Sequence, residues 1–281
     1  MTNSLDFSSR VLLNDGNSMP LFGLGVWAAK PGKEAYDATL FALNQGYRHI
    51  DTAELYGNEQ DVGKAIINSG YPRNEIFVTT KLWESGLGYD HAIKTFEISL
   101  KKMNLEYIDL YLIHWPEKRL SLDAWRALEQ IKKKGLCRSI GVSNFAPKHL
   151  KKLLNNCEEM PTVNQIELNP FLQQKPISSF CIKENIHLTC YCPLARGHRL
   201  NDPNLKKIAT ITGKTPAQIM LRWALQKGYS VIPKSTKPKR IIENANVFDF
   251  KLDESQMSAL NELEEGLRFC PDPLKIGNDD D

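Results

Sequence analysis

Four side chains able to carry proton chemistry lie at or just after the ends of consecutive strand-like segments. Asp51, Lys81 and His114 each end a short apolar run, and Tyr56 lies in the loop just after Asp51. Reduction of a carbonyl needs a hydride donor and an acid that protonates the oxygen as negative charge develops there. A tyrosine hydroxyl has a pKa of about 10 in water, and it becomes a workable acid near neutral pH if a cation stabilises its phenolate.

The other three side chains fit the remaining needs of that reaction. Lys81 supplies the cation that lowers the pKa of Tyr56, and Asp51 holds the lysine charged and fixed in direction, since a buried ammonium needs a partner. His114 donates a hydrogen bond to the substrate oxygen and sets its angle toward the hydride. Isolated residues of these types are usually structural, so it is their convergence at neighbouring strand ends that favours carbonyl reduction.

The elements that would position these residues alternate between short apolar runs and longer helical patterns. Eight such runs with helices between them are the count that a closed parallel barrel requires, so we expect a (β/α)8 TIM barrel of the α/β class. No linker rich in Pro, Gly or Ser divides the chain, which predicts a single domain over residues 1–281. The Asp15-Gly16 turn predicts an N-terminal β-hairpin that caps one end. The predicted strands are residues 21–26, 47–51, 76–81, 108–114, 139–143, 162–166, 187–191 and 230–233.

Helix boundaries are marked by glycines and by one cap. The apolar pattern of residues 33–45 stops at Gly46, and that of residues 122–134 stops at Gly135, as expected of glycines that end helices. Thr215 precedes a proline and predicts the N-cap of a further helix.

Composition argues against several kinds of partner. The chain has 36 Lys and Arg against 33 Asp and Glu, scattered along helices, so we expect no nucleic-acid surface. The six cysteines lack the spacing of a zinc site, and we expect reduced thiols and no metal. A polar N-terminus and the lack of a long apolar stretch predict a cytoplasmic protein that makes no membrane contact. We expect a monomer, with a disordered tail at residues 277–281.

The motifs around the four side chains resemble those of the aldo-keto reductase family. Its signature, with the catalytic Asp and Tyr, is similar to GYRHIDTAELYGNE at residues 46–59, with Gly63 beyond. Its catalytic Lys and His match Lys81 in TTKLW and His114 in LIHWP. The resemblance extends from about residue 11 to about residue 250. It is greatest to short-loop members of the prostaglandin F synthase and diketogluconate reductase type.

The resemblance implies that NADPH lies extended over the top of the barrel. A Rossmann site is not indicated, because the chain lacks a G-x-G-x-x-G motif after a strand. In the family, the residues matching Lys234, Ser235 and Arg240 bind the adenosine 2′-phosphate, and a charged fork on a phosphate favours NADPH over NADH. Two departures, Cys192 and Ala195, stand where many members have Ser and Gly. The coenzyme contacts implied are Gly25, Val26, Trp27, Ser143, Asn144 and Gln165 (the last three at the carboxamide), Tyr191 (stacked on the nicotinamide), Cys192, Leu194 (pyrophosphate loop), Lys234, Ser235, Thr236, Arg240, Glu243 and Asn244 (the last two at the adenine).

Three tryptophans follow strand ends and predict an aromatic substrate pocket: Trp27, Trp83 and Trp115. The loop after Pro116 and the C-terminal segment are shorter than in many animal members, which implies an open pocket and a broad range of small carbonyl substrates. A prostaglandin-type or sugar-derived carbonyl is among the substrates implied.

Two other functions use the same residues. The chain could be a non-catalytic NADPH-binding regulatory or structural protein, although an intact set of four catalytic residues argues against it. It could also be a barrel aldolase that forms a Schiff base on Lys81, although the coenzyme motifs argue against that function.

Overall fold

An antiparallel hairpin begins the computed structural model, which describes residues 5–86, 88–117 and 121–276. Strand β1 (Arg10–Leu12) pairs with β2 (Ser18–Pro20). Met19 packs in a buried apolar cluster that includes Leu112 and Val163. The Nδ2 group of Asn17 donates to the carbonyl of Arg138 at 3.0 Å, at the start of a barrel strand. The predicted N-terminal hairpin is confirmed, and it covers the amino-terminal end of the barrel.

Eight parallel strands form the barrel, and each pairs with its neighbour in the sequence. The first and last strands are joined by parallel bridges, Phe22 with Val231 and Gly25 with Lys234, which close the sheet. The predicted (β/α)8 fold is confirmed. The strands are β3 (Leu24–Gly25), β4 (His49–Asp51), β5 (Phe77–Leu82), β6 (Ile108–Ile113), β7 (Cys137–Ser143), β8 (Val163–Glu167), β9 (His187–Tyr191) and β10 (Ser230–Val231).

The two strands at the seam, β3 and β10, are shorter than the sequence predicts. Each has only two residues, whereas the apolar runs span residues 21–26 and 230–233. Hydrogen bonds across the seam extend beyond these two strands: the amide of Gly23 donates to the carbonyl of Val231 at 2.9 Å, and the amide of Gly25 donates to the carbonyl of Pro233 at 3.3 Å. Pro233 has no N–H to continue a regular ladder, so the strand assignment ends before it.

Helices surround the barrel and bury their apolar faces against it. Gly46 and Gly135 follow the first and fourth helices with φ of 95° and 75°, a left-handed conformation that glycine adopts without strain. Thr215 caps its helix as predicted, accepting from the amide of Gln218. The α-helices of the described residues are α1 (Lys33–Asn44), α2 (Glu59–Asn68), α3 (Tyr89–Met103), α4 (Ser121–Lys133), α5 (Pro147–Leu154), α6 (Lys175–Lys183), α7 (Pro203–Thr212), α8 (Pro216–Gln226), α9 (Pro238–Ala245) and α10 (Glu254–Asn261).

Gly63 provides a test of the packing between α2 and α3. A Cβ at this position would lie 2.0 Å from the carbonyl oxygen of Met103. We expect Gly63→Ala to lower the free energy of unfolding in urea by about 2 kcal/mol or more, although alanine normally stabilises a helix relative to glycine by about 1 kcal/mol. Gln60→Ala, on the exposed side of α2, is the control and should change that free energy by less than about 0.5 kcal/mol. Equal stability of the Gly63 variant and the parent would contradict this packing.

Three expectations from the sequence concern membrane-spanning helices, the C-terminal tail and the loop after Pro116. No helix within the described ranges combines the length and apolar character needed to cross a bilayer. The expected disorder of residues 277–281 concerns residues outside those ranges. The short loop after Pro116 also lies partly outside them, at residues 118–120.

Candidate active site

A buried ion pair lies at the carboxyl ends of β4 and β5. Lys81 Nζ donates to Asp51 Oδ1 at 2.6 Å and to the carbonyl of Thr52 at 2.7 Å. The other carboxylate oxygen of Asp51 accepts from Gln165 Nε2 at 2.7 Å. The Lys81 side chain is fully buried and that of Asp51 is 3 % exposed. Burial raises the pKa of Asp51 and lowers that of Lys81, while their mutual attraction and hydrogen bonds oppose both shifts.

Tyr56 lies beside this pair, on the short 3-10 turn Glu54–Tyr56. Lys81 Nζ is 5.2 Å from the centroid of the Tyr56 ring. Burial raises the pKa of Tyr56 well above its ordinary value, and the charge of Asp51 adds to the rise. A net lowering of this pKa is therefore not found, because desolvation of the phenolate outweighs the stabilisation expected from Lys81. Tyr56 is consequently a protonated phenol at neutral pH.

His114 completes the group at the end of β6. Its ring centroid is 5.8 Å from that of Tyr56 and 5.1 Å from that of Trp83, in edge-to-face contacts. Burial lowers the pKa of His114 well below its usual value, and the charge of Lys81 lowers it further. Its Nδ1 atom is buried without a hydrogen-bond partner among the described residues. A neutral imidazole at this place can still donate through one ring nitrogen.

The three residues implied for the carboxamide lie together at the ends of β7 and β8. Ser143 Oγ donates to the carbonyl of Gln165 at 2.8 Å, and Asn144 Nδ2 donates to the carbonyl of His114 at 3.0 Å. Tyr191 Oη donates to Asn144 Oδ1 at 2.7 Å. Asn144 adopts a left-handed φ of 62°, which asparagine tolerates better than most residues. One hydrogen-bonded network therefore connects these residues to Asp51 and His114.

The residues implied for the adenosine end lie on the loop after β10 and on α9. Lys234 and Arg240 are exposed, whereas Ser235 and Asn244 are buried. Ser235 Oγ accepts from the amide of Lys237 at 3.1 Å, at the start of α9. Exposed cations beside a helix N-terminus form a surface suited to an anion.

The loops that carry Trp27, Trp83 and Tyr56 are held together by the polar side chains of Asn58 and Glu54. Asn58 Nδ2 donates to the carbonyl of Val26 at 3.1 Å, and the amide of Trp83 donates to Glu54 Oε2 at 3.0 Å. Trp27 is 43 % exposed, and Trp83 and Trp115 are half-buried.

The structure also brings to the site residues that the sequence analysis did not assign. The guanidinium of Arg196 lies 4.6 Å from the Trp27 ring and 5.6 Å from the Phe269 ring. Phe269 and Cys270 belong to the C-terminal segment, and their amides donate to the carboxylate of Glu167. No local pattern indicated these contacts, because each joins segments far apart in the chain. Among the described residues, no group of three or more His, Cys, Asp and Glu side chains is arranged as a metal site.

Comparison with known proteins gives consistent matches over nearly the whole chain. The model of the aldo/keto reductase family matches residues 21–265. The chain is 47 % identical to the 9,11-endoperoxide prostaglandin H2 reductase of Trypanosoma cruzi over 266 residues, covering 94 % of each protein. It is 46 % identical to the glyoxal reductase of Bacillus subtilis over 266 residues, covering 95 % of this chain and 96 % of the relative. A Bombyx mori aldo-keto reductase solved in complex with NADP superposes with a TM-score of 0.88 at 35 % identity, covering 98 % of this chain and 99 % of that one.

Proposed function

Because the chain belongs to the aldo/keto reductase family, we propose that it reduces small aldehydes and ketones to alcohols with NADPH, with Tyr56 as the proton donor. The observation that carries this proposal is the buried Lys81–Asp51 pair, joined to Gln165 and facing the Tyr56 ring. Burying a charged pair costs free energy even when it is hydrogen bonded, and buried titratable groups with perturbed pKa values are concentrated at functional sites. A protonated phenol beside it is the group that carbonyl reduction requires.

The residues present fit a nicotinamide coenzyme, which supplies the hydride when bound. Ser143, Asn144 and Gln165 offer hydroxyl and amide groups that suit a neutral carboxamide. Tyr191 offers an aromatic face beside them, with Cys192 and Leu194 following it in the loop. The loop after β10 offers Lys234, and the first turn of α9 offers Arg240, to the 2′-phosphate, with Ser235 and Thr236 following Lys234. Glu243 and Asn244 on α9 are proposed to contact the adenine.

The side chains of this chain divide the proton chemistry as follows. Tyr56 donates its hydroxyl proton to the carbonyl oxygen, and the Lys81 ammonium stabilises the phenolate that this transfer leaves. Asp51 fixes the direction of Lys81 through the 2.6 Å hydrogen bond. His114, kept neutral by burial, orients the substrate oxygen. Burial keeps Tyr56 protonated before the reaction. The charge of Lys81 therefore matters when the phenolate forms.

The substrate class follows from the pocket walls and from the relatives. Trp83 packs against His114, and Trp27 and Trp115 follow the ends of other barrel strands. We propose that these side chains form apolar pocket walls that favour small carbonyl compounds with an apolar part. A glyoxal reductase and a prostaglandin H2 reductase among the relatives support dicarbonyls and prostaglandin-type compounds as substrates, and sugar-derived carbonyls remain a third candidate. A panel of aldehydes and ketones, methylglyoxal included, assayed with NADPH and NADH tests the proposal. Turnover with neither coenzyme would contradict it.

The preference for NADPH over NADH gives a prediction for Arg240 on α9. We expect Arg240→Ala to raise the KM for NADPH by roughly 10- to 100-fold, because it removes a charged hydrogen bond to phosphate. The KM for NADH, which lacks this phosphate, should change little. Lys239→Ala removes the same charge from an adjacent exposed position and is the matched control, with a change below about threefold. Equal effects of Arg240→Ala on both coenzymes would contradict the assignment.

We also propose that the protein acts as a cytoplasmic monomer. All six cysteines are free thiols, which supports a reducing compartment. Size-exclusion chromatography with light scattering tests the monomer, and a stable dimer at micromolar concentration would contradict it.

A further inference from the structure

Two thiols from distant parts of the chain meet beside the proposed coenzyme site. Cys192 follows β9, and Cys270 lies in the C-terminal segment. The two thiols are close enough that each shifts the pKa of the other, and the side chain of Tyr191 also affects the pKa of Cys270. Arg196 Nη2 lies 3.7 Å from Cys270 Sγ. Both thiols are only half-buried, so small solutes can reach them.

The backbone of Cys270 is held in place by a carboxylate. Glu167 Oε2 accepts from the amide of Cys270 at 3.0 Å and from that of Phe269 at 3.1 Å. The Phe269 ring also stacks on His198, with centroids 4.9 Å apart. The contact between the two thiols is therefore fixed from both sides, by β9 and by this anchored segment.

The environment of Cys270 favours the reactive thiolate. The interaction with Cys192 lowers the pKa of Cys270 to about 6, with further contributions from Tyr191 and Arg196. The pKa of Cys157, by contrast, is raised by burial. Cys137, Cys181 and Cys190 are buried. Because the thiolate is the nucleophile in thiol oxidation, Cys270 is the cysteine expected to react first.

We propose that Cys192 and Cys270 form a redox-active pair that hydrogen peroxide converts into a disulfide. The Cys270 thiolate attacks one peroxide oxygen, the O–O bond breaks, and the released hydroxide takes up a proton, which leaves a sulfenic acid and water. Cys192 sulfur then attacks the sulfenic sulfur, and its thiol proton leaves with the hydroxyl as a second water. Two thiols lose two electrons and one peroxide gains them, so the step is balanced with peroxide as the oxidant.

The disulfide would connect the loop after β9 to the C-terminal segment. Arg196, in the same loop, also contacts the Trp27 ring, so this loop lies beside one wall of the proposed cleft for coenzyme and substrate. Resting on the proposed function, the pair then controls coenzyme exchange, because two walls of the cleft no longer move independently. We expect the dissociation rate of NADPH to fall by roughly threefold or more on oxidation.

The chemical part is tested by peptide mapping of the full chain after peroxide treatment and alkylation. We expect a peptide linked through Cys192 and Cys270, reversible by dithiothreitol, in the wild type and in Cys157→Ser. Cys157→Ser is the matched control, because Cys157 is the remaining half-buried thiol. The linked peptide should be absent from Cys270→Ser, whose fold is checked by circular dichroism. Recovery of Cys192 as a free thiol, with Cys270 either alkylated or oxidised to sulfinic acid, would overturn the proposal.

The functional part is tested by stopped-flow release of NADPH from reduced and oxidised protein. Slower release from the oxidised wild type, with no change on treating Cys270→Ser, supports control of exchange. Unchanged release despite a mapped disulfide would overturn that control. Failure of the proposed function would appear instead as a lack of NADPH binding in the reduced protein.

Discussion

Tyr56→Phe is expected to lower kcat for aldehyde reduction by about a thousandfold while the Kd for NADPH changes by less than about twofold. The substitution removes only the hydroxyl that we propose donates the proton. The ring that faces Lys81 and packs edge-on against His114 is retained. Steady-state oxidation of NADPH measures the first quantity, and fluorescence titration with the coenzyme measures the second.

Tyr36→Phe is the matched control for this substitution. Tyr36 lies on α1, and its hydroxyl accepts from Asn68 at the surface, away from the site. We expect kcat to be unchanged in this variant. If Tyr56→Phe reduced aldehydes at the parent rate, the assignment of the proton donor would be wrong.

Lys81→Met should lower kcat by about a thousandfold or more and also destabilise the protein by about 3–5 kcal/mol. The loss of stability follows because Asp51 would remain buried with Gln165 as its only side-chain partner among the described residues. Burial raises the pKa of Asp51, and removing the Lys81 charge that opposes this rise should raise it further, so the folded variant binds a proton more readily than the folded parent. The destabilisation should therefore shrink as the pH is lowered from neutrality. Urea unfolding at several pH values measures it.

A second substitution separates the structural and catalytic contributions of Lys81. In the double variant Asp51→Asn/Lys81→Met the unpaired carboxylate is gone, and we expect about 2 kcal/mol or more of the lost stability to return. Activity should not return, because no cation faces the phenolate. Lys33→Met, which breaks an exposed pair with Asp37 on α1, is the control and should change stability by less than about 1 kcal/mol. Recovery of activity in the double variant would contradict the proposed electrostatic contribution of Lys81.

The barrel could be predicted from the sequence because its elements are locally encoded. The buried strand β6 has the sequence IDLYLI, which is apolar except at Asp109. Helix α1 is followed by Gly46, at a position where the backbone is left-handed. Alternation of such runs with helices leaves few folds to consider. The meeting of Asp51, Lys81 and His114 then followed from topology alone, since neighbouring parallel strands end on the same face.

What the sequence could not predict depends on burial and on contacts between distant segments. Motifs identified Tyr56 by type and position, yet the direction of its pKa shift is set by desolvation, which no motif encodes. Cys192 interacts with Cys270, and Arg196 contacts Trp27. Each pair joins segments far apart in the chain, and no hydrophobic pattern in the sequence indicates which distant segments meet. The short β3 and β10 differ from the prediction because the seam of the barrel includes Pro233.

The most direct test of the proposed activity is to incubate the purified protein with NADPH and 4-nitrobenzaldehyde and to quantify both oxidised coenzyme and alcohol. Hydride transfer with proton donation predicts that one alcohol forms for each NADPH consumed, with multiple turnovers per protein molecule. Saturable binding of NADPH with neither oxidation nor alcohol would contradict that prediction, and would identify the chain as a coenzyme-binding protein without reductase activity.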